Sequence, residues 1–289
     1  MKRIVVASGK GGTGKTTISA GLQYTAPQYY GKPATLMDFD VEEPNDHLFF
    51  NNLDLLKSSA VTLPVPVINK EKCTYCGKCK EACAFNAITL IPKAGIAEIS
   101  TDLCHSCGAC LVVCKDDALD ELFHPIGEVN TFGKDQTIIL KEGRLEVGLP
   151  HQTAVIRDMK KRHLPDTDLA IFDAPPGTSC PVVTTLEDAD YVIVVAEPSP
   201  FGLNDLKLLV EVIKDIKLPF GVVINKAGTG NNDMEDYLKK EKIEIVSKIP
   251  FNREIAEAYS NASIQEIAAH KEMDKHLKHI WNHIKKKTA

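Results

Sequence analysis

Eight of the nine cysteines lie between residues 73 and 114, in two copies of one spacing, C-x2-C-x2-C-x3-C. The first copy is Cys73, Cys76, Cys79 and Cys83; the second is Cys104, Cys107, Cys110 and Cys114. Three thiolates in a tight loop can hold one iron–sulfur cluster, while the fourth, on the following helical turn, reaches a neighbouring cluster. The spacing thus predicts a crossed assignment, with Cys73, Cys76, Cys79 and Cys114 on one [4Fe–4S] cluster and Cys104, Cys107, Cys110 and Cys83 on the other. Zinc sites built from four cysteines also use paired C-x2-C units. A third cysteine at x2 and a fourth at x3, repeated, fits two tetrahedral zinc sites poorly.

A second chemistry lies upstream. Gly9, Lys10, Gly11, Gly12, Thr13, Gly14, Lys15 and Thr16, followed by Thr17, match G-x4-G-K-[ST] between an apolar run and a helix-like stretch. Glycines let the backbone wrap a phosphate, so that amides and the helix N-terminus face the negative charge. Lys15 would contact the β- and γ-phosphates, and Thr16 would offer its hydroxyl oxygen to Mg²⁺.

Short β-branched runs alternating with amphipathic stretches must position these groups. The pattern predicts an α/β fold, a mostly parallel sheet flanked by helices. Expected strands are Arg3–Ala7, Ala34–Asp38, Leu169–Asp173, Tyr191–Ala196, Gly221–Ile224 and Glu244–Ile249. Each is nearly all apolar, as strands buried on both faces are. Expected helices cover Lys15–Gln28, Pro181–Glu187, Gly202–Ile216, Asn232–Glu241 and Arg253–Ser260, with one terminal helix from Ile264 to Lys286. The alternation breaks between 63 and 123, which reads as a small inserted α+β module; 1–62 and 124–289 form the surrounding domain. The cysteine blocks repeat after 31 residues, from Cys73 to Cys104. So short a module would use its clusters as its core, coupling folding to metal binding. A hairpin is expected at Thr137–Gly148, turning at Lys141–Arg144.

The bulk composition bounds the setting. At 289 residues, 44% hydrophobic, 25% charged and net charge −5, the chain reads as an ordinary globular protein with no basic face for nucleic acid. No run of about 18 apolar residues is present. Many thiols and an N-terminus that leads straight into a core strand read as cytoplasmic, where metal ligation is favoured over disulfides.

The second lysine in Lys10-Gly11-Gly12-Thr13-Gly14-Lys15-Thr16 resembles the deviant P-loop ATPases, the superfamily of MinD, ParA, the Mrp-type iron–sulfur carriers and the nitrogenase iron protein. Over its length the chain resembles members of that superfamily carrying an inserted bacterial-ferredoxin-like domain. The resemblance implies a bound ATP with Mg²⁺, an ATP-dependent homodimer in which Lys10 reaches the partner subunit's phosphates, and a redox partner protein. It makes Asp38-Phe39-Asp40 the first switch segment, with Asp40 positioning the attacking water and Asp38 near the metal shell. Asp173 becomes the Walker B aspartate on Mg²⁺, beside Thr16 and Asp40, and Gly177 the γ-phosphate sensor. Asn225 and Lys226, with the Pro250-Phe251-Asn252 loop, would hold adenine; Gly228 stands where a GTPase shows the aspartate of N-K-x-D, which favours ATP.

Departures from the pattern are informative. Ala84 and Lys115 follow the fourth cysteines, where bacterial ferredoxins usually place proline. Lys70, Lys72, Lys78 and Lys80 surround the first block, and Asp116, Asp117, Asp120 and Glu121 trail the second. Those lysines read either as a docking face for an acidic electron donor or as solvated charges. Cys180 reads as a small buried residue, with a ligand bridging two subunits as the alternative. The stripe Ile264, Ile267, Ala268, Leu277, Ile280 and Ile284, ending in Lys285-Lys286-Lys287, is expected to pack on the sheet rather than on a membrane. The functional reading is an ATPase whose nucleotide state gates electron transfer through two clusters. The alternatives are a cluster carrier of Mrp type and a MinD/ParA-like positioning ATPase.

Overall fold

The computed structural model describes residues 1–288. The chain runs β1 (Lys2–Ala7), α1 (Lys15–Tyr29), β2 (Thr35–Asp38), a 3₁₀ turn (Asp46–Phe49), β3 (Asp54–Ile68), α2 (Lys78–Ala82), β4 (Ile88–Ile91) and β5 (Ile96–Ile99). It continues through α3 (Ala109–Val113), β6 (Leu119–Lys134), β7 (Thr137–Leu145), α4 (Gln152–Arg162), β8 (Leu169–Asp173), α5 (Cys180–Leu186) and β9 (Tyr191–Ala196). The last part is α6 (Pro200–Asp215), β10 (Phe220–Ala227), α7 (Asp233–Lys240), β11 (Ile245–Pro250), α8 (Arg253–Ser260), α9 (Ile264–Ala269) and α10 (Lys271–Thr288).

Nine strands form one sheet in the order β11-β10-β9-β1-β8-β2-β7-β6-β3. From β11 to β7 every pairing is parallel; β7–β6 and β6–β3 are antiparallel. This is the expected α/β P-loop architecture, a mostly parallel sheet covered by helices on both faces. β1, β8 and β9 are wholly or largely buried because apolar side chains from both faces meet helices. One core layer joins Val5, Phe39, Phe172 and Val194 to residues of α4 to α7. The other joins Ile4, Val6, Ile171 and Ile193 to α1, α9 and α10. Loops at the carboxyl ends of β1, β2 and β8 therefore meet at one edge, where ligands bind in open α/β sheets.

The C-terminal stripe is spent in that second layer. Ile264, Ile267, Leu277, Ile280 and Ile284 are at most 1% exposed. Trp281 is also buried, its indole N–H donating to Thr25 Oγ1 at 3.1 Å. The stripe is carried by two helices rather than one, broken at His270, whose extended backbone ends α9. Among the described residues no helix is long and apolar enough to cross a membrane.

The main difference from the sequence expectation is a long ribbon. β3 and β6 pair from Asp54 opposite Gly133 to Ile68 opposite Leu119, with register shifts at Leu55/Lys57 and Val61/Thr62, extending the sheet and carrying residues 69–118 at the far end. Positions 62/63 and 123/124 fall inside these strands, so the stem of the cysteine segment is continuous with the sheet. The expected hairpin at Lys141–Arg144 is corrected: Thr137–Leu145 is one strand, and the turn lies earlier, at Asp135 and Gln136. Both have positive φ, 49° and 66°, the geometry of the two-residue turn that matches strand twist. Lys141-Glu142-Gly143-Arg144 looked like a turn by composition. Pairing on both sides, with β2 and β6, overrides that signal.

Candidate functional site

The loop between β1 and α1 opens onto a buried charge cluster. Lys15, 7% exposed, donates to Asp173 Oδ2 at 2.7 Å. Thr16 Oγ1 donates to the same oxygen at 3.0 Å, and Ser19 donates to Asp173 Oδ1. Asp173 ends β8, so the strand end and the first turn of α1 are stitched together at the phosphate loop. The Gly177 amide donates to Ser8 O at 2.9 Å, which ties the loop after β8 to the loop after β1.

Asp38, at the end of β2, accepts backbone N–H bonds from Asp40 (2.9 Å), Asn45 (3.0 Å) and Asp46 (3.2 Å). Its carboxylate thereby shapes the loop 39–46. That loop turns back and places Asp46 in the cluster: oxygens of Asp38, Asp46 and Asp173 lie within 4.8 Å of one another. Asp46 is fully buried, and neither of its carboxylate oxygens has a hydrogen-bond partner among the described residues. Burial, then Asp38 and Asp173, hold its carboxyl well above the usual range. Asp38 is pushed up to about 8 by burial and Asp173, against the pull of Lys15 and the loop amides. Burial lowers the Lys15 ammonium, but Asp173, Asp46 and Asp38 outweigh it and the net shift is upward. Three crowded carboxylates facing one ammonium cannot all ionise unaided. Oxygen donors with two orphaned atoms fit a hard divalent cation. Asp40 lies outside this trio, half-buried, and burial pushes its carboxyl up to about 6.

A cavity of about 300 Å³ adjoins the loop, lined by Gly12, Gly14, Thr17, Asn225, Lys226 and Pro250-Phe251-Asn252. Ile255, Tyr259 and Met273 complete its apolar wall. Asn225 Nδ2 donates to Thr13 O at 2.8 Å, and Lys226 Nζ donates to Gly12 O at 2.9 Å. Gly14 has φ 91°, and a Cβ there would stand 2.2 Å from Asn225 Nδ2, so only glycine fits. Lys10 is paired with Glu197, which also accepts from Lys226 at 2.9 Å. Burial raises the Glu197 carboxyl, but the two ammonium groups outweigh it and hold it below the usual range.

The family model of the CobQ/CobB/MinD/ParA nucleotide binding domain matches residues 4–264, from β1 to the start of α9. The chain belongs to that family. An uncharacterized protein of Methanocaldococcus jannaschii is 30% identical over 265 residues, covering 90% of this chain and 89% of that one. An iron–sulfur cluster carrier protein of Aquifex aeolicus is 24% identical over 269 residues, covering 88% of this chain but 58% of that one. Among solved structures, the septum site-determining protein MinD of Pyrococcus horikoshii, complexed with Mg-ADP, superposes with a TM-score of 0.57 at 17% identity, covering 99% and 96% of the two chains. Family members are nucleotide-binding ATPases, and the matched span includes the loop at Gly9–Thr16.

The cysteine segment forms two cradles. Cys73, Cys76, Cys79 and Cys114 line one concavity; Cys83, Cys104, Cys107 and Cys110 line the other. All eight are free thiols. The 31-residue repeat recurs in the backbone. Positive φ appears at Tyr75 and Ser106 (56° and 51°), Gly77 and Gly108 (84° and 73°), and Asn86 and Asp117 (52° and 48°). Each fourth cysteine accepts an amide from four residues on, Ala87 N to Cys83 Sγ and Ala118 N to Cys114 Sγ, both 3.4 Å. Burial raises the Cys79 thiol, and among the neighbouring thiols that add to it is Cys114 of the other block. Burial raises Cys110 likewise, with Cys104 and Cys107 adding.

Cys180 is exposed at the start of α5, which corrects the buried reading. The residues with no sequence signal are Ser19, Asp46, Glu197, Ile255, Tyr259 and Met273. None sits in a recognisable spacing, and each enters the site only through the packing of distant elements.

Proposed function

We propose that the chain binds and hydrolyses ATP with Mg²⁺, and that its nucleotide state gates electron transfer through two [4Fe–4S] clusters to a redox partner protein. Lys15, Thr16 and Asp173 would hold the phosphates and the metal, with Asp40 orienting the attacking water. Lys10 would leave Glu197 to reach the phosphates of a second copy in an ATP-dependent homodimer. Asn225, Lys226 and the Pro250–Asn252 loop would take the adenine. Residues 63–123 would be the ferredoxin-like insert. When bound, such clusters supply low-potential one-electron carriers, and the two four-thiol cradles fit them.

The observation that carries this reading is the crossed composition of the two cradles. Three cysteines from one block and the fourth of the other enclose each concavity. The coupling route would run from the loop 39–46 through the 3₁₀ turn Asp46–Phe49 and residues 50–53 into β3, the stem of the cysteine segment. A change in that loop on binding or losing γ-phosphate would move the stem.

The test is EPR of anoxically purified, reduced protein with and without Mg-ATP. Two clusters whose signals respond to nucleotide support the proposal. Absence of acid-labile sulfide, or spectra indifferent to nucleotide, overturn it. The distant cluster-carrier relative supports a second reading, cluster delivery. Rapid transfer of iron and sulfide to an apo-ferredoxin would favour delivery, whereas four thiols in each cradle favour retained clusters.

A further inference from the structure

A cavity of about 520 Å³ lies between α4 and the loop of the second cysteine block, apart from the cavity beside the phosphate loop. β3 supplies a wall of Val61, Thr62, Leu63 and Pro64; His105 and Ser106 form the cysteine-segment side. The opposite side is the first turn of α4 with Arg157, Asp158 and Lys161. Arg157 and Lys161 are one helical turn apart, so they share a face. Neither has a carboxylate partner among the described residues, whereas the adjacent Asp158 pairs with Arg162 and His163. α4 starts with no side-chain cap, leaving its first-turn amides without a side-chain acceptor.

His151, which precedes α4, points to a ligand independently. It is 5% exposed, lines the cavity, and its ring has no hydrogen-bond partner among the described residues. The ring stands edge-on to His105, with centroids 5.4 Å apart. The Ser106 hydroxyl is also buried and unpartnered. Burial, then His105 and His124, lower the His151 pKa, so the ring is a neutral donor and acceptor. Two free cations, an uncapped helix start, a hydroxyl and a buried imidazole converge on one space, and the carboxylate that lines it, Asp158, faces Arg162 and His163. That donor set is the chemistry that recognises phosphate.

We propose that this cavity binds a phosphorylated small molecule, with the phosphate on Arg157, Lys161 and the start of α4, and the remainder against the Val61–Pro64 wall. The ligand would touch both the cysteine segment and the ATPase core. α4 is tied to α5 through Lys160, which donates to Thr184 O at 2.8 Å, so occupancy would reach the segment that follows Gly177. The site does not depend on the iron–sulfur reading.

The experiment is calorimetric titration of the full chain with inorganic phosphate, after Mg-ADP has filled the P-loop. One further phosphate site is expected, with the His151 ring protons shifting in NMR on binding. Arg157→Ala should weaken it about tenfold, as loss of a charge-assisted bond does, and Arg157→Ala with Lys161→Ala should abolish it. Both are exposed surface changes, and Mg-ADP affinity should stay unchanged. No heat beyond the P-loop site, or a second site that persists in the double variant, overturns the proposal.

Discussion

Lys10 and Glu197, 187 residues apart in sequence, are ion-paired within one chain. The lysine that the family resemblance assigns to a partner subunit is thus held at home by a carboxylate at the end of β9. Glu197 also accepts from Lys226, so one glutamate orders two cations beside the phosphate loop. Any reach of Lys10 across a dimer interface must first break this pair.

Glu197→Gln should therefore favour assembly. The pair is partly exposed, 29% and 18%, and such pairs contribute about 1 kcal/mol, or roughly fivefold in an equilibrium. In an Asp40→Asn background that retains ATP, Glu197→Gln should raise the dimer association constant by about that factor, and Lys10→Ala should lower it. Sedimentation velocity reads both. An unchanged constant in Glu197→Gln would show that the pair does not compete with assembly.

The buried carboxylates predict a pH dependence of the nucleotide-free protein. Asp38 at about 8, Asp40 at about 6 and Asp46 well above its ordinary value all retain protons that the unfolded chain releases near 4. The folded state then binds more protons than the unfolded one, so stability from this site is full below about pH 4. It is lost as pH rises through 6 toward 8 and beyond. Asp46→Asn removes one of these groups and should stabilise the protein at pH 8 by about 1–3 kcal/mol, with little effect at pH 4. Urea unfolding at the two pH values measures it; the same pH dependence in wild type and variant would contradict the buried, uncompensated state of Asp46.

Gly14→Ala should abolish nucleotide binding. The added Cβ would meet Asn225 Nδ2 at 2.2 Å, and alanine is strained at φ 91°. Adding Asn225→Ala removes the clash but neither the strain nor the need for the Asn225 contact, and should restore binding only in part. Fluorescent ATP-analogue titration distinguishes the three proteins, and full binding by Gly14→Ala alone would refute the assigned loop geometry.

The crossed cradles make an alkylation pattern. In Cys83→Ala the second concavity loses a wall while Cys73, Cys76, Cys79 and Cys114 remain together. Anoxically prepared Cys83→Ala should expose Cys104, Cys107 and Cys110 to iodoacetamide and keep Cys73, Cys76 and Cys79 protected. Mass spectrometry of labelled peptides reads the outcome, and labelling confined to the first block would reverse the assignment. Cys180→Ala should leave iron content unchanged.

The sequence alone determined what is local. The β-branched runs of β1, β8 and β9, the phosphate loop between β1 and α1, and the paired cysteine blocks each follow from neighbours within about a dozen residues. Periodicity and spacing encode such things directly. Tertiary structure decided the partnerships. The 141–144 segment read as a turn and became a strand because β2 and β6 pair on either side of it. Asp46 carried no motif and entered the charge cluster because Asp38 folds its loop back by three amide bonds. Glu197, Tyr259 and Met273 reached the phosphate loop and its adjoining cavity from β9 onward through sheet order and helix packing, and Cys180 stayed exposed because α5 begins at the surface. Those placements depend on contacts between residues distant in the chain, where a single sequence carries type but not adjacency.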